Sequence, residues 1–178
     1  MPSVLVYSTA PITTISEVKD KLDNALADKR DKWQIELKLY RANSASFQDT
    51  ERAGTTLITV TTSLEKGKVF VYSRSSAIVA GEEMAPDMLS KMQSLWVLRQ
   101  TFKCEGQVYN LDGVLVRVAN TFVQGNYKGL LVEIESDSED LLDKAKAIVS
   151  QCEIPGQVPD EMANSLIEKI QKYQVLIR

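Results

Sequence analysis

Between Gln100 and Glu135 the chain carries three turn signals, Glu105-Gly106, Asp112-Gly113 and Gln124-Gly125-Asn126, with β-prone residues between them. Pairs of this kind supply the positive φ angles that tight hairpins demand, so the segment predicts four short antiparallel strands. If each turn closes as written, Phe102 faces Tyr109, Tyr109 faces Val116, Val116 faces Ile134, and Val118 lies opposite Val132. One apolar row then crosses all the strands, and because a one-residue slip turns every side chain over, agreement among the turns fixes the register. The opposite face pairs Arg117 with Glu133 and Leu115 with Glu135.

The remaining segments add strands and helices to this sheet. Ser3 to Ser8 is β-prone, and Thr14 with Glu17 reads as a capping box opening a helix with Ile15, Val18, Leu22, Ala25 and Leu26 on one face, ending near Lys29. Trp33 to Arg41 alternates with a period of two, and Ala42 to Ala53 reads as a loop. Thr55 to Ser63, the turn Glu65-Lys66-Gly67, and Lys68 to Ser73 form a further hairpin, with a short strand at Ser76 to Ala80 and a loop at Gly81 to Pro86. Met88, Met92, Leu95, Trp96 and Arg99 recur at helical spacing and predict a second helix, apolar nearly all round at its end. A capping box at Ser136 and Glu139 opens a third helix with Leu141, Ala145, Ile148, Val149 and Cys152 inward, which Pro155-Gly156 breaks. Pro159 suits the first turn of a last helix with Met162, Leu166, Ile167 and Ile170 on its apolar side. These 178 residues are read as one α+β domain, 1–178: an antiparallel β-barrel of about eight strands, curled or closed, with flanking α-helices.

Composition narrows the chemistry sharply. The chain contains no histidine, which removes Ser-His and Cys-His catalytic pairs and every imidazole zinc site. The two cysteines, Cys104 and Cys152, cannot build a four-thiolate zinc site and read as reduced core residues. Neither G-x-G-x-x-G nor the P-loop pattern occurs. A net charge of −3 with dispersed lysines argues against direct nucleic-acid binding. No apolar run reaches membrane-spanning length, and the short stretch Val4-Leu5-Val6 does not read as a signal peptide.

The sharpest enzymatic candidate is Glu133-x-Glu135, two carboxylates that project to the same side of a strand. In a barrel lumen they would hold a divalent metal over a phosphorylated substrate. On an outward, solvated face they would instead meet Arg117 across the hairpin, a pair worth ~0.2–1 kcal/mol. Leu115, Ala119 and Leu131 share that face and favour the second reading. Trp96 and the methionines before it read as core or as a partner groove. No catalytic constellation assembles.

The run Leu89-Ser-Lys-Met-Gln-Ser-Leu-Trp-Val-Leu-Arg-Gln100, the run from Asn110-Leu-Asp-Gly-Val to Thr121-Phe122, and Gly125-Asn-Tyr-Lys-Gly-Leu-Leu-Val-Glu-Ile-Glu135 together resemble the fungal form of the Mediator subunit 20 family. The stretches Thr9-Ala-Pro, Asp31-Lys-Trp33 and Tyr40-Arg41 are similar as well. The resemblance implies a nuclear, non-enzymatic coactivator subunit with no cofactor. It further implies a β-barrel with flanking helices, pairing with Mediator subunit 18 in the head module. The C-terminal helix of subunit 8 would join mainly through subunit 18, and the assembly would work with RNA polymerase II and the TATA-binding protein. Candidate contact residues, chosen because they are apolar at a strand end or tail, are Phe122 and Tyr127 beside the Gly125 turn, and Val175, Leu176 and Ile177. Two other classes stay open: a metal-dependent tunnel-barrel phosphohydrolase using Glu133 and Glu135, and a ligand-carrying barrel closed by its C-terminal helix.

Overall fold

A computed structural model of the chain describes residues 1–43, 55–73, 76–82, 87–88, 91–92 and 94–177. Its elements are β1 (Ser3–Ser8), α1 (Thr14–Asn24), β2 (Asp28–Ala42), β3 (Thr56–Thr62), β4 (Lys68–Ser73), β5 (Ser76–Glu82), β6 (Trp96–Leu111), β7 (Val114–Val123), β8 (Asn126–Glu135), α2 (Leu141–Gln151) and α3 (Leu166–Ile177). The fold is α+β, and the eight strands run in the order β1-β8-β7-β6-β2-β3-β4-β5. Among the described strands β1 and β5 are the ends of that order, so the sheet is open rather than a closed barrel. No helix among the described residues is long and apolar enough to cross a membrane.

Two compact units divide the chain. The first comprises Met1–Gln34, Cys104–Phe122 and Asn126–Arg178; the second comprises Ile35–Lys103 and Val123–Gly125. In the first, Val4 and Val6 of β1, Val116 and Val118 of β7, and Leu130, Val132 and Ile134 of β8 share one core. Ile15, Val18 and Leu22 of α1 and Leu141, Ala145 and Ile148 of α2 pack into the same core. Burying each such aliphatic side chain contributes ~1.5–3 kcal/mol. In the second unit, β2, β3, β4 and β5 pair antiparallel, Leu37 against Val60, Val60 against Phe70 and Phe70 against Ala80. The turn between β3 and β4 uses Gly67 at φ +78°, as the sequence indicated.

Several boundaries differ from the sequence reading, each for a local reason. Glu105-Gly106 is not a hairpin but lies inside the sixteen-residue strand β6, so Phe102 and Tyr109 sit on one strand and do not face each other. Gly106 is there because of crowding: a Cβ at that position would fall 1.8 Å from the Val118 carbonyl oxygen. Asp112-Gly113 is a true turn, with φ +50° and +85°. The next turn holds two residues, Gln124 (φ +51°) and Gly125 (φ +78°), rather than three. The expected second helix does not extend to Arg99, since Trp96 through Gln100 already belong to β6. The helical bonds stop at Met92 N–H to the Met88 carbonyl and Trp96 N–H to the Met92 carbonyl, because sheet pairing overrides a short helical spacing. Cys104 consequently lies mid-strand and buried, not beside a turn; it and Cys152 are free thiols. The loops read at Ala42 to Ala53 and Gly81 to Pro86 fall partly on strand ends, Ala42 in β2 and Gly81 and Glu82 in β5; Asn43 follows β2 outside any strand, and the rest lie outside the described residues.

Helix ends show similar adjustments. The Thr14–Glu17 capping box is not formed: the Thr14 amide donates to the Pro11 carbonyl at 3.0 Å and the Ser16 amide to Thr13 at 3.1 Å. α1 stops at Asn24, and Asp28 begins β2, well before the expected end near Lys29. α2 starts at Leu141, beyond Glu139, with no side-chain cap. Pro159 stands before α3 rather than in it, and Ala163 bridges to β1, its N–H donating to the Ser3 carbonyl at 2.7 Å and its carbonyl accepting from Ser3 at 2.8 Å. The cap that does form is Ser165 and Glu168: the Glu168 amide donates to Ser165 Oγ at 3.2 Å, while Glu168 Oε2 accepts from the Asn164 amide at 2.6 Å.

Gly106→Ala is expected to destabilise the protein by about 3 kcal/mol, since backbone must move to admit the methyl group. Gly67→Ala, where open space surrounds the Cβ position, is expected to cost only about 1 kcal/mol from its positive φ. Urea unfolding of both variants measures the difference.

Candidate functional site

Arg117 of β7 and Glu133 and Glu135 of β8 alternate with the core residues and point away from them. Glu133 and Glu135, two apart on β8, project to one side, and the antiparallel register sets Leu5 and Ser3 of β1 beside them. Arg117 of β7 reaches across: its Nη1 donates to Glu133 Oε1 at 2.6 Å and to Glu135 Oε2 at 2.8 Å. Helix α3 supplies the rest. Lys169 Nζ donates to the same two oxygens, at 3.0 Å and 2.5 Å, and Tyr173 Oη donates to Glu133 Oε2. Two carboxylate oxygens and two cationic nitrogens thus alternate around a closed four-point ring, with charges that cancel.

Burial decides what this ring is. Arg117 and Glu133 are 4% and 1% exposed, Glu135 7%. The solvated-face reading of the carboxylate pair is therefore corrected: α3 covers the face, and the surface-pair energy quoted above does not apply. The positions between the two carboxylates are taken by the chain's own Lys169 and Arg117. Among the described residues no group of three or more metal-type ligands occurs.

The electrostatics follow from the geometry. Burial alone would raise the Glu135 carboxyl, but the hydrogen bonds and charges of Arg117 and Lys169 outweigh it and hold it at about 2. Arg117 moves the other way and is raised: burial opposes its charge, and the bond to Glu135 and the Glu133 charge prevail. The Tyr173 phenol is pushed well up by burial and then by the Glu133 carboxylate, so it remains a donor. The Cys104 thiol is also pushed well up, by burial and the Glu133 charge, which makes it a poor nucleophile.

Sequence reasoning identified Arg117, Glu133 and Glu135 but missed Lys169 and Tyr173. The expected inward face of the last helix was Met162, Leu166, Ile167 and Ile170. In the structure Met162 precedes α3, Leu166 and Ile167 are 36% and 44% exposed, and the buried side is Ile170 with Tyr173. The available signal was the spacing Lys169-x-x-x-Tyr173, which places a cation and a phenol on one helix face. Of the contact candidates, Phe122 and Tyr127 come together edge to face, ring centroids 6.0 Å apart, and Tyr127 Oη donates to the Ala10 carbonyl at 2.6 Å. Val175 is 66% exposed on α3; of Leu176 and Ile177 only the helical backbone is described.

Lys169→Met, leaving two buried carboxylates to one cation, is expected to cost roughly 3–5 kcal/mol. The double variant Glu135→Gln with Lys169→Met is expected to recover much of that loss, a coupling read from urea unfolding of the four-protein cycle. The Glu135 carboxyl is depressed in the folded state, so its stabilisation is complete above about 4.5 and is lost as pH falls toward about 2. Glu135→Gln is expected to flatten stability against pH in that window, measured by urea unfolding between pH 6 and pH 2.

Comparison with known proteins connects this architecture to a family. The family model described as "TATA-binding related factor (TRF) of subunit 20 of Mediator complex" matches residues 1–175. A Mediator of RNA polymerase II transcription subunit 20 from Yarrowia lipolytica is 32% identical over 176 residues, covering 81% of each chain. The Saccharomyces cerevisiae subunit 20 is 28% identical over 155 residues, 76% of this chain and 73% of that one. Among solved structures, a putative adenylyl cyclase from Hippeastrum with a dominant triphosphatase activity shares the fold at TM-score 0.57 and 10% identity, covering 97% of this chain and 95% of that one. At that identity the likeness speaks for the fold alone. With its sequence matched from Met1 to residue 175, the chain belongs to the Mediator subunit 20 family, and its setting is the Mediator complex of RNA polymerase II transcription.

Proposed function

We propose that this Mediator subunit is a non-enzymatic scaffold that pairs with Mediator subunit 18 in the head module and helps regulate RNA polymerase II initiation in the nucleus. The observation that carries the reading is the closed ring of Arg117, Lys169, Glu133 and Glu135: the carboxylates best placed for chemistry are already neutralised by the chain itself. The absence of histidine from the sequence supports it. Subunit 8 joins through its C-terminal helix, mainly by way of subunit 18, and the assembly works with RNA polymerase II and the TATA-binding protein. The contact surface includes Phe122 and Tyr127 beside the Gly125 turn, and the tail Val175, Leu176 and Ile177; the 66% exposure of Val175 supports that assignment for the tail. The chain acts as one folding domain over 1–178, a reading supported by β2 and β6, each of which runs continuously through both compact units.

The fold likeness to a triphosphatase favours a second reading, metal-dependent phosphohydrolysis at Glu133 and Glu135. Manganese-dependent hydrolysis of triphosphate by the pure protein tests it and is expected to be absent. Co-expression with Mediator subunit 18 from the same organism, followed by size-exclusion chromatography with light scattering, tests the first. A one-to-one complex is the expected result, and separate elution of two folded proteins would overturn the pairing. Phe122→Ser with Tyr127→Ser is expected to weaken the complex while leaving the circular-dichroism spectrum intact; loss of that spectrum would assign both rings to the core instead.

A further inference from the structure

Helix α3 meets the sheet through a contact that is largely polar. Ile170 and Tyr173 are buried, but Leu166, Ile167 and Val175 are 36%, 44% and 66% exposed, so much of the helix's apolar surface stays in water. Charged groups supply further ties: Lys169 to Glu133 and Glu135, and Tyr173 Oη to Glu133. Arg117 Nε and Ser3 Oγ on the sheet and Gln174 Nε2 on the helix are buried with no hydrogen-bond partner among the described protein atoms. Ser3 belongs to this face because the register sets it opposite Glu135.

Such a contact holds less firmly than its extent suggests. A buried ion ring regains in attraction about what it loses in hydration, so it adds little net hold against a state in which all its members are in water. Each unpartnered polar atom favours that state outright. Moving the whole helix away hydrates the four charges together, whereas removing one of them from the closed contact strands its partners.

The geometry also leaves α3 room to move alone. Ala163 is fixed to β1 by its two backbone bonds with Ser3. The exposed Asn164 and Ser165 follow, and the cap they form with Glu168 stays within residues 164–168, so it survives a swing of the helix. A cleft of about 530 Å3, lined by Glu161, Met162, Asn164, Glu168, Lys172 and Val175, lies between this side of α3 and the segment before it. Lys172 Nζ crosses it to the Glu161 carbonyl at 3.0 Å.

We propose that α3 is a strap that leaves the sheet as one unit, pivoting at Asn164 and Ser165, so that the folded protein has a covered and an uncovered state of the face formed by Arg117, Glu133 and Glu135. Uncovering takes Lys169 away and leaves two carboxylates to one guanidinium, so the position of the strap sets the charge that this face shows. Once off the sheet, a helix of 12 residues is marginal and unwinds. The inference holds for the chain by itself and is independent of which subunit pairs with it.

Hydrogen exchange of the full-length chain, at urea concentrations below its unfolding transition, tests the strap. The amides of residues 170–174 are expected to exchange as one group, faster than those of β7 and β8 by about tenfold or more. Their rate is expected to depend only weakly on urea, because release exposes far less surface than unfolding. Lys169→Met is expected to speed that group by a further factor of about ten or more while β7 and β8 remain protected. Equal rates and equal urea dependence in α3 and β8 would overturn the proposal, as would loss of protection from α3 and β8 together in Lys169→Met. A gradient of rates rising residue by residue toward Ile177 would also overturn it, showing fraying instead of release.

Discussion

Two carboxylates buried on one strand must find two cations, and the placement of the last helix depends on that need. Glu133 and Glu135 lie under cover, and among the described residues of the sheet Arg117 is their charged partner. Desolvating a second unpaired carboxylate would cost several kcal/mol, more than a helix of this length gains from its few buried apolar residues. Lys169 removes the imbalance, and Tyr173, four residues on, uses the remaining oxygen of Glu133. A buried charge ring is weak evidence for stability but good evidence for register: α3 satisfies it in one orientation only. The same requirement explains why Leu166 and Ile167 are left outward, although they are the more apolar choice.

The shared fold with a triphosphatase shows how much function depends on such a detail. An open sheet face with paired carboxylates and an arginine has the raw material for binding a charged ligand. Here the face is filled by the chain's own side chains.

Much of this was legible in the sequence where local geometry and tertiary contacts agree. Asp112-Gly113 is a turn because its backbone angles suit the residues on it, and Val116, Val132 and Ile134 are core because their alternation survives. Glu105-Gly106 looks identical as a pair, yet its glycine serves a close approach of the Val118 carbonyl, which no local pattern encodes. Trp96 fits a helix by spacing and a strand by type, and long-range pairing decided for the strand. Arg117 was readable opposite Glu133 because a hairpin links them. Lys169 was not, since it reaches Glu133 from a helix far along the chain, and its spacing from Tyr173 marks a shared helix face without telling what that face meets.

The pairing of β1 with β8 carries a consequence for how the protein is made. Ser3 is matched with Glu135 and Val4 with Ile134, and Ser3 is also bridged to Ala163. Among the described strands β1 therefore has no sheet partner until β8 has followed it out of the ribosome. At about 5–20 residues per second the wait for β8 is roughly 7–26 s. During that interval Val4, Leu5 and Val6 form an apolar segment with free edges, open to non-native pairing. Biogenesis, rather than the finished structure, is where this N-terminal strand is most exposed to aggregation, and where a chaperone or a waiting partner would matter most.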